Sequence, residues 1–268
     1  MLIDPTGLPP EAAKALRCAT QEASPDMVDA EGGPALPARE AYADVPGARI
    51  WYLDTGGSGL PVVFMHAATG SSRVWEHQMP AFTQAGYRVI AHDRRGWGRS
   101  VVDPSGPQPG TAADDLQALM DHLGIDRIHL VGTAAGAIVS LDFALSFPQR
   151  VRSLVVANSI GGVQDEDYLA LGRRLRPPQF DALPAEVREL GPSYRAADPE
   201  GTRRWVELAR LSRPGGPAAP AQAMRNRLTF SLLERIEVPT LSSRAAPIST
   251  PRRRCSRCSP PGSGAQSR

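Results

Sequence analysis

The sequence predicts an α/β protein with a mostly parallel sheet covered by helices on both faces. Strand-like and helix-like segments alternate from residue 49 onward. Most of the strand-like segments are short continuous apolar runs, as expected of strands buried on both faces. A chain of 268 residues, 41% hydrophobic, is long enough for one large core.

Taken in order, residues 1–45 are rich in Ala, Pro and Glu and predict a short helix near Pro10–Gln21 followed by a loose linker. Arg49–Asp54 (RIWYLD) predicts a strand and Thr55–Gly59 (TGGSG) a tight turn. Pro61–His66 (PVVFMH) is short, β-branched and apolar, a buried strand. Val74–Ala85 places Trp75, Met79 and Phe82 on one helical face. Tyr87–Asp93 is another strand. Thr111 followed by Asp114 predicts a capping pair that opens a helix to His122. Arg127–Gly132 is a strand, Gly136–Phe147 a helix stopped by Pro148, and Arg152–Asn158 a further strand. Residues 164–235 then turn helical and rich in Arg, Leu and Pro, as in an insertion lying over a sheet. Glu237–Leu241 (EVPTL) begins one more buried strand.

Gly132-Thr133-Ala134-Ala135-Gly136 has the spacing of a nucleophile elbow between a strand and a helix. The central residue of such a turn is strained, and glycines two positions away on either side leave it room. Here that central residue is Ala134, which has no nucleophilic atom. An ordinary strand-to-helix turn packed on small residues fits this window equally well. Three further stretches favour the elbow. MHAATG (Met65–Gly70) follows one strand, HDRRGWGRS (His92–Ser100) follows the next, and FPQRV (Phe147–Val151) joins the elbow helix to a third.

In this order the segments resemble the α/β-hydrolase superfamily, from about Ala48 to Leu241, and within it the branch of enol-lactonases, meta-cleavage-product hydrolases and small esterases. The resemblance implies an α/β-hydrolase fold with a helical cap, and a C-terminal end of that fold that is missing here. It implies residues 1–47 as an N-terminal extension, 48–163 as core, 164–235 as cap insertion, 236–241 as the start of a late core strand and 242–268 as a basic low-complexity tail. It places the nucleophile position on Ala134, and oxyanion donors on the backbone N–H of Ala135 and of Ala67 or Ala68. Gly132 and Gly136 are the elbow glycines. Thr133 is expected to point away from the site. The family's base is a histidine after the last strand, yet His66, His77, His92, His122 and His129 all lie at or before residue 129. His66 and His92 are expected to be loop or supporting groups, and His77, His122 and His129 to lie on helix or strand surfaces. The acid has no clear counterpart either. Asp165 is nearest to one of its two family positions and reads better as a solvated loop residue.

The charge balance qualifies the tail. The net charge is +2, but residues 242–268 hold six arginines and no acid, so the first 241 residues sum to −4. Nucleic-acid binding is therefore not expected of the body. Cys255 and Cys258 form a lone CxxC without the further ligands of a zinc site, and with Cys18 they make no disulfide framework. The tail also reads as an out-of-frame translation. One permitted coding of Ser242–Pro251, entered two nucleotides later, gives Ile-Thr-Gly-Gly-Ala-Asp-Leu-Tyr-Thr, a strand end followed by an acid-bearing loop. A genuine basic tail is the alternative.

No apolar run reaches the ~18 residues of a membrane span, and the N-terminus lacks the layout of a signal peptide. The expectation is a cytoplasmic protein without cofactor, metal or membrane association, its partner a small carbonyl compound. An intact relative would hydrolyse an ester, a lactone or a C–C bond beside a carbonyl. This chain is expected to lack the Ser-His-Asp triad and to have little serine-hydrolase activity. A ligand-binding pseudoenzyme, proton-transfer chemistry in the intact relative, and a damaged gene product of poor solubility are the alternatives. Oligomeric state and substrate are not legible.

Overall fold

The computed structural model describes residues 38–103, 105–107, 110–213 and 221–243. The helix expected at Pro10–Gln21, the three cysteines and the tail from residue 244 lie outside the described residues.

Eight strands form one sheet: β1 (Arg39–Val45), β2 (Ala48–Asp54), β3 (Pro61–Met65), β4 (Arg88–His92), β5 (Val101–Val102), β6 (Ile128–Thr133), β7 (Val151–Ala157) and β8 (Thr240–Ser243). Their order is β1-β2-β4-β3-β6-β7-β8, with β5 paired to β2. From β4 to β8 every pairing is parallel. β1, β2 and β5 add antiparallel pairs at one end. The helices are α1 (Gln78–Gln84), α2 (Ala112–His122), α3 (Ala135–Ser146), α4 (Glu166–Leu175), α5 (Ala185–Glu189), α6 (Pro192–Ala197), α7 (Pro199–Leu211) and α8 (Phe230–Leu233). None of these is long and apolar enough to cross a membrane.

The central parts of the parallel strands are mostly apolar because both faces are covered. Val63, Met65, Leu130 and Leu154 join a core with Leu116, Leu119 and Phe143 of α2 and α3. Val62, Phe64, Val131 and Val155 face the other way, onto Trp75, Met79 and Phe82. Burial of each such side chain contributes about 1.5–3 kcal/mol. The expected capping pair is formed: Thr111 Oγ1 accepts from Asp114 N, and Thr111 N donates to the Asp114 carboxylate. A buried bidentate Arg95–Asp115 contact holds the loop after β4 to α2, and a part-buried Arg88–Asp54 pair joins β4 to β2.

The structure corrects the expected boundaries. The supposed N-terminal extension contains β1, whose sequence REAYADV buries only Ala43 and Val45, so an edge strand was hidden by its charged outer face. Residues 72–75 form a separate 3-10 turn ahead of α1. The cap segment is helical, but its last part docks on the core. Arg225 N and Asn226 N donate to the buried Asp142 carboxylate of α3, and Leu228 enters the core. The final strand starts later and runs further than expected. Ser242 and Ser243 pair in register with Val156 and Ala157, so the tail boundary at residue 242 falls inside β8.

Candidate functional site

The sheet creates a site where β3 has β4 on one side and β6 on the other. The loops after β3 and β6 leave the same edge of a parallel sheet at a reversal of strand order, where a crevice forms. A cavity of about 290 Å³ lies there, lined by Ala67, Thr69, Gly70, Val74, Thr133, Ala134, Asn158, Glu189, Leu190 and Trp205.

Ala134 is the turning residue between β6 and α3, with φ 47° and ψ −115°. That backbone is disfavoured for any residue with a Cβ. It is held by Ala134 N donating to Ala157 O at 3.1 Å and by Ser159 Oγ donating to Ala134 O at 2.8 Å. Both flanking glycines are needed for space. A Cβ on Gly132 would lie 2.7 Å from Ala137 Cα, and one on Gly136 would overlap the Met65 carbonyl. The elbow geometry is thus present around an alanine.

Of the expected oxyanion donors, Ala67 lines the cavity with Ala134, whereas Ala68 and Ala135 are not among the lining residues. Ala135 opens α3, and a first-turn N–H has no acceptor within its own helix. The carbonyl of Ala67 accepts from Gly70 N, and that of Ala68 from the Trp97 indole at 2.7 Å. The loop's carbonyls are therefore engaged within the protein. Thr133, expected to point away, contributes to the cavity wall, but no base touches it.

No histidine lines the cavity. His66 is fully buried, with Nδ1 2.7 Å from Ala67 O and Nε2 accepting from Arg94 N at 3.0 Å. Burial and the Arg94 charge hold its pKa well below the ordinary range. His92 is buried too and is pushed down to about 3 by the same causes. His66 is a neutral support holding two loops through both ring nitrogens, and His92 is a buried neutral ring at the end of β4. His122 meets the Tyr52 hydroxyl, His129 meets Ser153 Oγ, and His77 is exposed. Asp165 caps the chain elsewhere, its carboxylate accepting from Phe230 N. Among the described residues no group of three His, Cys, Asp or Glu could hold a metal ion.

Several lining residues escaped the sequence reading. Asn158, at φ 47°, ends β7 beside the elbow. Glu189, Leu190 and Trp205 come from the cap, and Glu189 accepts from Thr69 Oγ1 at 3.0 Å. No local motif marks them, because only tertiary docking brings the cap over the sheet. Ser212 Oγ donates to Thr69 O and Gly98 N donates to Ser212 O, which fastens the end of α7 to the same loops.

Comparison with known proteins gives a consistent neighbourhood. A family model described as alpha/beta hydrolase fold matches residues 61–208, more than half of the chain. A 2-hydroxy-6-oxononadienedioate/2-hydroxy-6-oxononatrienedioate hydrolase of Paraburkholderia phymatum is 32% identical over 166 residues, 60% of this chain and 53% of the relative. A non-heme chloroperoxidase of Streptomyces lividans is 40% identical over 153 residues, 56% of this chain and 51% of the relative. The chain therefore spans about half the length of these curated relatives. A thermophilic esterase from Thermogutta terrifontis superposes with a TM-score of 0.58 at 26% identity, covering 76% of this chain and 79% of that one.

Proposed function

Because the chain belongs to the alpha/beta hydrolase fold family, we propose that it holds a small carbonyl compound over the elbow without efficient serine-type hydrolysis. The observation that carries this reading is Ala134. It occupies the elbow turn at φ 47° and lines the cavity, yet offers no nucleophile. Backbone donors do not depend on side-chain identity, so the N–H groups of Ala135 and Ala67 would still orient a carbonyl oxygen. The relatives named as an esterase and as a hydrolase of an oxo compound favour an ester or a ketone as the ligand class. On this reading the triad side chains are absent, and the oxyanion site and binding would supply only about 10³–10⁴-fold over water.

The test is thermal unfolding with and without phenyl acetate or γ-caprolactone, with product followed by NMR in the same samples. The expected result is a ligand-dependent rise in Tm without product above the buffer background. Product formed at many turnovers per second would overturn the reading.

A second reading concerns residues 242–268, which we propose are an out-of-frame translation. It is favoured by the lack of any acidic residue in 242–268 and of any histidine after residue 129. On this reading the intact relative would be the active species.

A further inference from the structure

We infer that the cavity recognises an ammonium group on its ligand through the Glu189 carboxylate and the Trp205 ring, both supplied by the cap. The inference rests on the ligand-holding reading above and narrows its ligand to a short carbonyl compound with a primary ammonium at the end away from the carbonyl.

Among the described residues that line the cavity, Glu189 alone is an acid, and no arginine or lysine lines it. The other polar side chains in the wall, Thr69, Thr133 and Asn158, are neutral. Glu189 closes α5, and one of its carboxylate oxygens accepts from Thr69 Oγ1 at 3.0 Å. That hydroxyl brings no charge. The other oxygen makes no hydrogen bond or ion pair among the described residues. The cap arginines do not neutralise it: Arg188 forms no ion pair with its neighbour, and Arg204 is held by Glu76 and Glu207. A carboxylate in a cavity wall without a cation of the protein beside it favours a cation on the ligand. A primary ammonium can also donate a charge-assisted hydrogen bond to the free oxygen.

Trp205, from α7, adds to the same preference. Trp51 and Trp97 each have a guanidinium over the ring, Arg99 at 3.2 Å and Arg94 at 4.5 Å from the ring centre, whereas no cation of the described residues lies over Trp205. An aromatic face attracts a cation as a carboxylate does. The sheet side of the cavity has the opposite polarity. Ala134 leads into α3, twelve residues long, whose first turn has no acidic residue and no side-chain cap. The N–H groups of that turn carry partial positive charge and suit a carbonyl oxygen. The cavity is therefore complementary to a ligand with its carbonyl at the elbow and its cation at the cap. Its volume of about 290 Å³ corresponds to about ten water-sized groups at ~30 Å³ each, which sets the ligand at about ten non-hydrogen atoms.

The test compares methyl 6-aminohexanoate with methyl heptanoate, which has a methyl group in place of the ammonium, and with monomethyl adipate, which has a carboxylate there. Binding is measured by calorimetry and thermal shift on the full chain at pH 7.5. The ammonium ester is expected to bind about fivefold or more tightly than the methyl ester, and the carboxylate ester more weakly than either. Glu189→Gln keeps an acceptor for Thr69 and removes the charge. It should reduce the preference to less than about twofold, leave methyl heptanoate binding unchanged and, because Glu189 is exposed, melt as the parent does. Glu207→Gln removes an equal charge from the exposed part of α7, outside the cavity, and should leave the preference intact. Equal binding of the ammonium and methyl esters, a preference that survives Glu189→Gln, or tightest binding of the carboxylate ester overturns the inference alone. Failure of all three esters to bind overturns the ligand-holding reading, and the inference with it.

Discussion

The backbone N–H of Arg94 donates to Nε2 of His66 at 3.0 Å, while Nδ1 of the same ring sits 2.7 Å from the carbonyl of Ala67. An amide N–H needs a lone pair and a carbonyl needs a proton, so the ring is neutral with its proton on Nδ1. Both nitrogens are committed. The histidine nearest the cavity holds two loops together and is not free to move a proton for a substrate.

A pH dependence follows from the buried rings. His92 has its pKa depressed to about 3, and His66 is depressed as well. Below pH 6.5 the unfolded chain takes up these protons and the folded one does not. Stability is therefore present above about pH 6.5 and is lost as pH falls, for His92 by about 1.4 kcal/mol per pH unit down to about pH 3, with His66 acting in the same direction. Urea unfolding at pH 7.5, 6, 5 and 4.5 should show His92→Gln losing stability less steeply than the parent by that amount. Paired carboxylates act equally in both proteins, so the difference in slope reports the ring. Parallel slopes would contradict the assignment.

The elbow carries strain that a substitution can release. Ala134→Gly should raise stability by about 1 kcal/mol, because glycine adopts the turn without a Cβ penalty. Gly136→Ala should lower it by about 2–3 kcal/mol or prevent folding, since the new methyl meets the Met65 carbonyl. Thermal melts of the two variants check both signs.

Asp142 pins the segment after the cap to α3. Its carboxylate accepts from Arg225 N, Asn226 N and Asn226 Nδ2 at 2.8–3.0 Å. Asp142→Ala should cost about 2–4 kcal/mol, the penalty of several part-buried donors left unpaired. Hydrogen exchange should show faster exchange at Arg225 and Asn226 in the variant, with α2 protected as before.

Much of the fold was legible because the buried parallel strands carry short, mostly apolar runs. β3, β4, β6 and β7 were each placed within a residue or two at their ends. β1 was not, because only Ala43 and Val45 of its seven residues are buried and the rest reads as linker. β5 is two residues long and sets up no periodicity. The elbow was legible from Gly132 and Gly136, whose absent side chains leave a mark in the sequence. Asn158, Glu189 and Trp205 were not, since they reach the cavity only through the docking of β7 and the cap. The pairing of the two adjacent arginines in HDRRGWGRS was equally hidden, and only the structure gives Asp115 to Arg95.

The reading frame is open to direct examination. Sequencing the coding DNA through the Leu241 codon should reveal a shifted frame that encodes an acid-bearing loop, an apolar helix and a late histidine. A closed frame would establish the arginine-rich residues as a genuine tail.

The central claim is that the elbow persists without serine chemistry. Intact mass measured after incubation with a fluorophosphonate, on the parent and on Ala134→Ser, tests it most directly. The account predicts no adduct on the parent and at most slow labelling of Ala134→Ser, because no histidine lines the cavity to activate the hydroxyl. Rapid stoichiometric labelling of the parent, or a p-nitrophenyl acetate burst restored by Ala134→Ser, would contradict it.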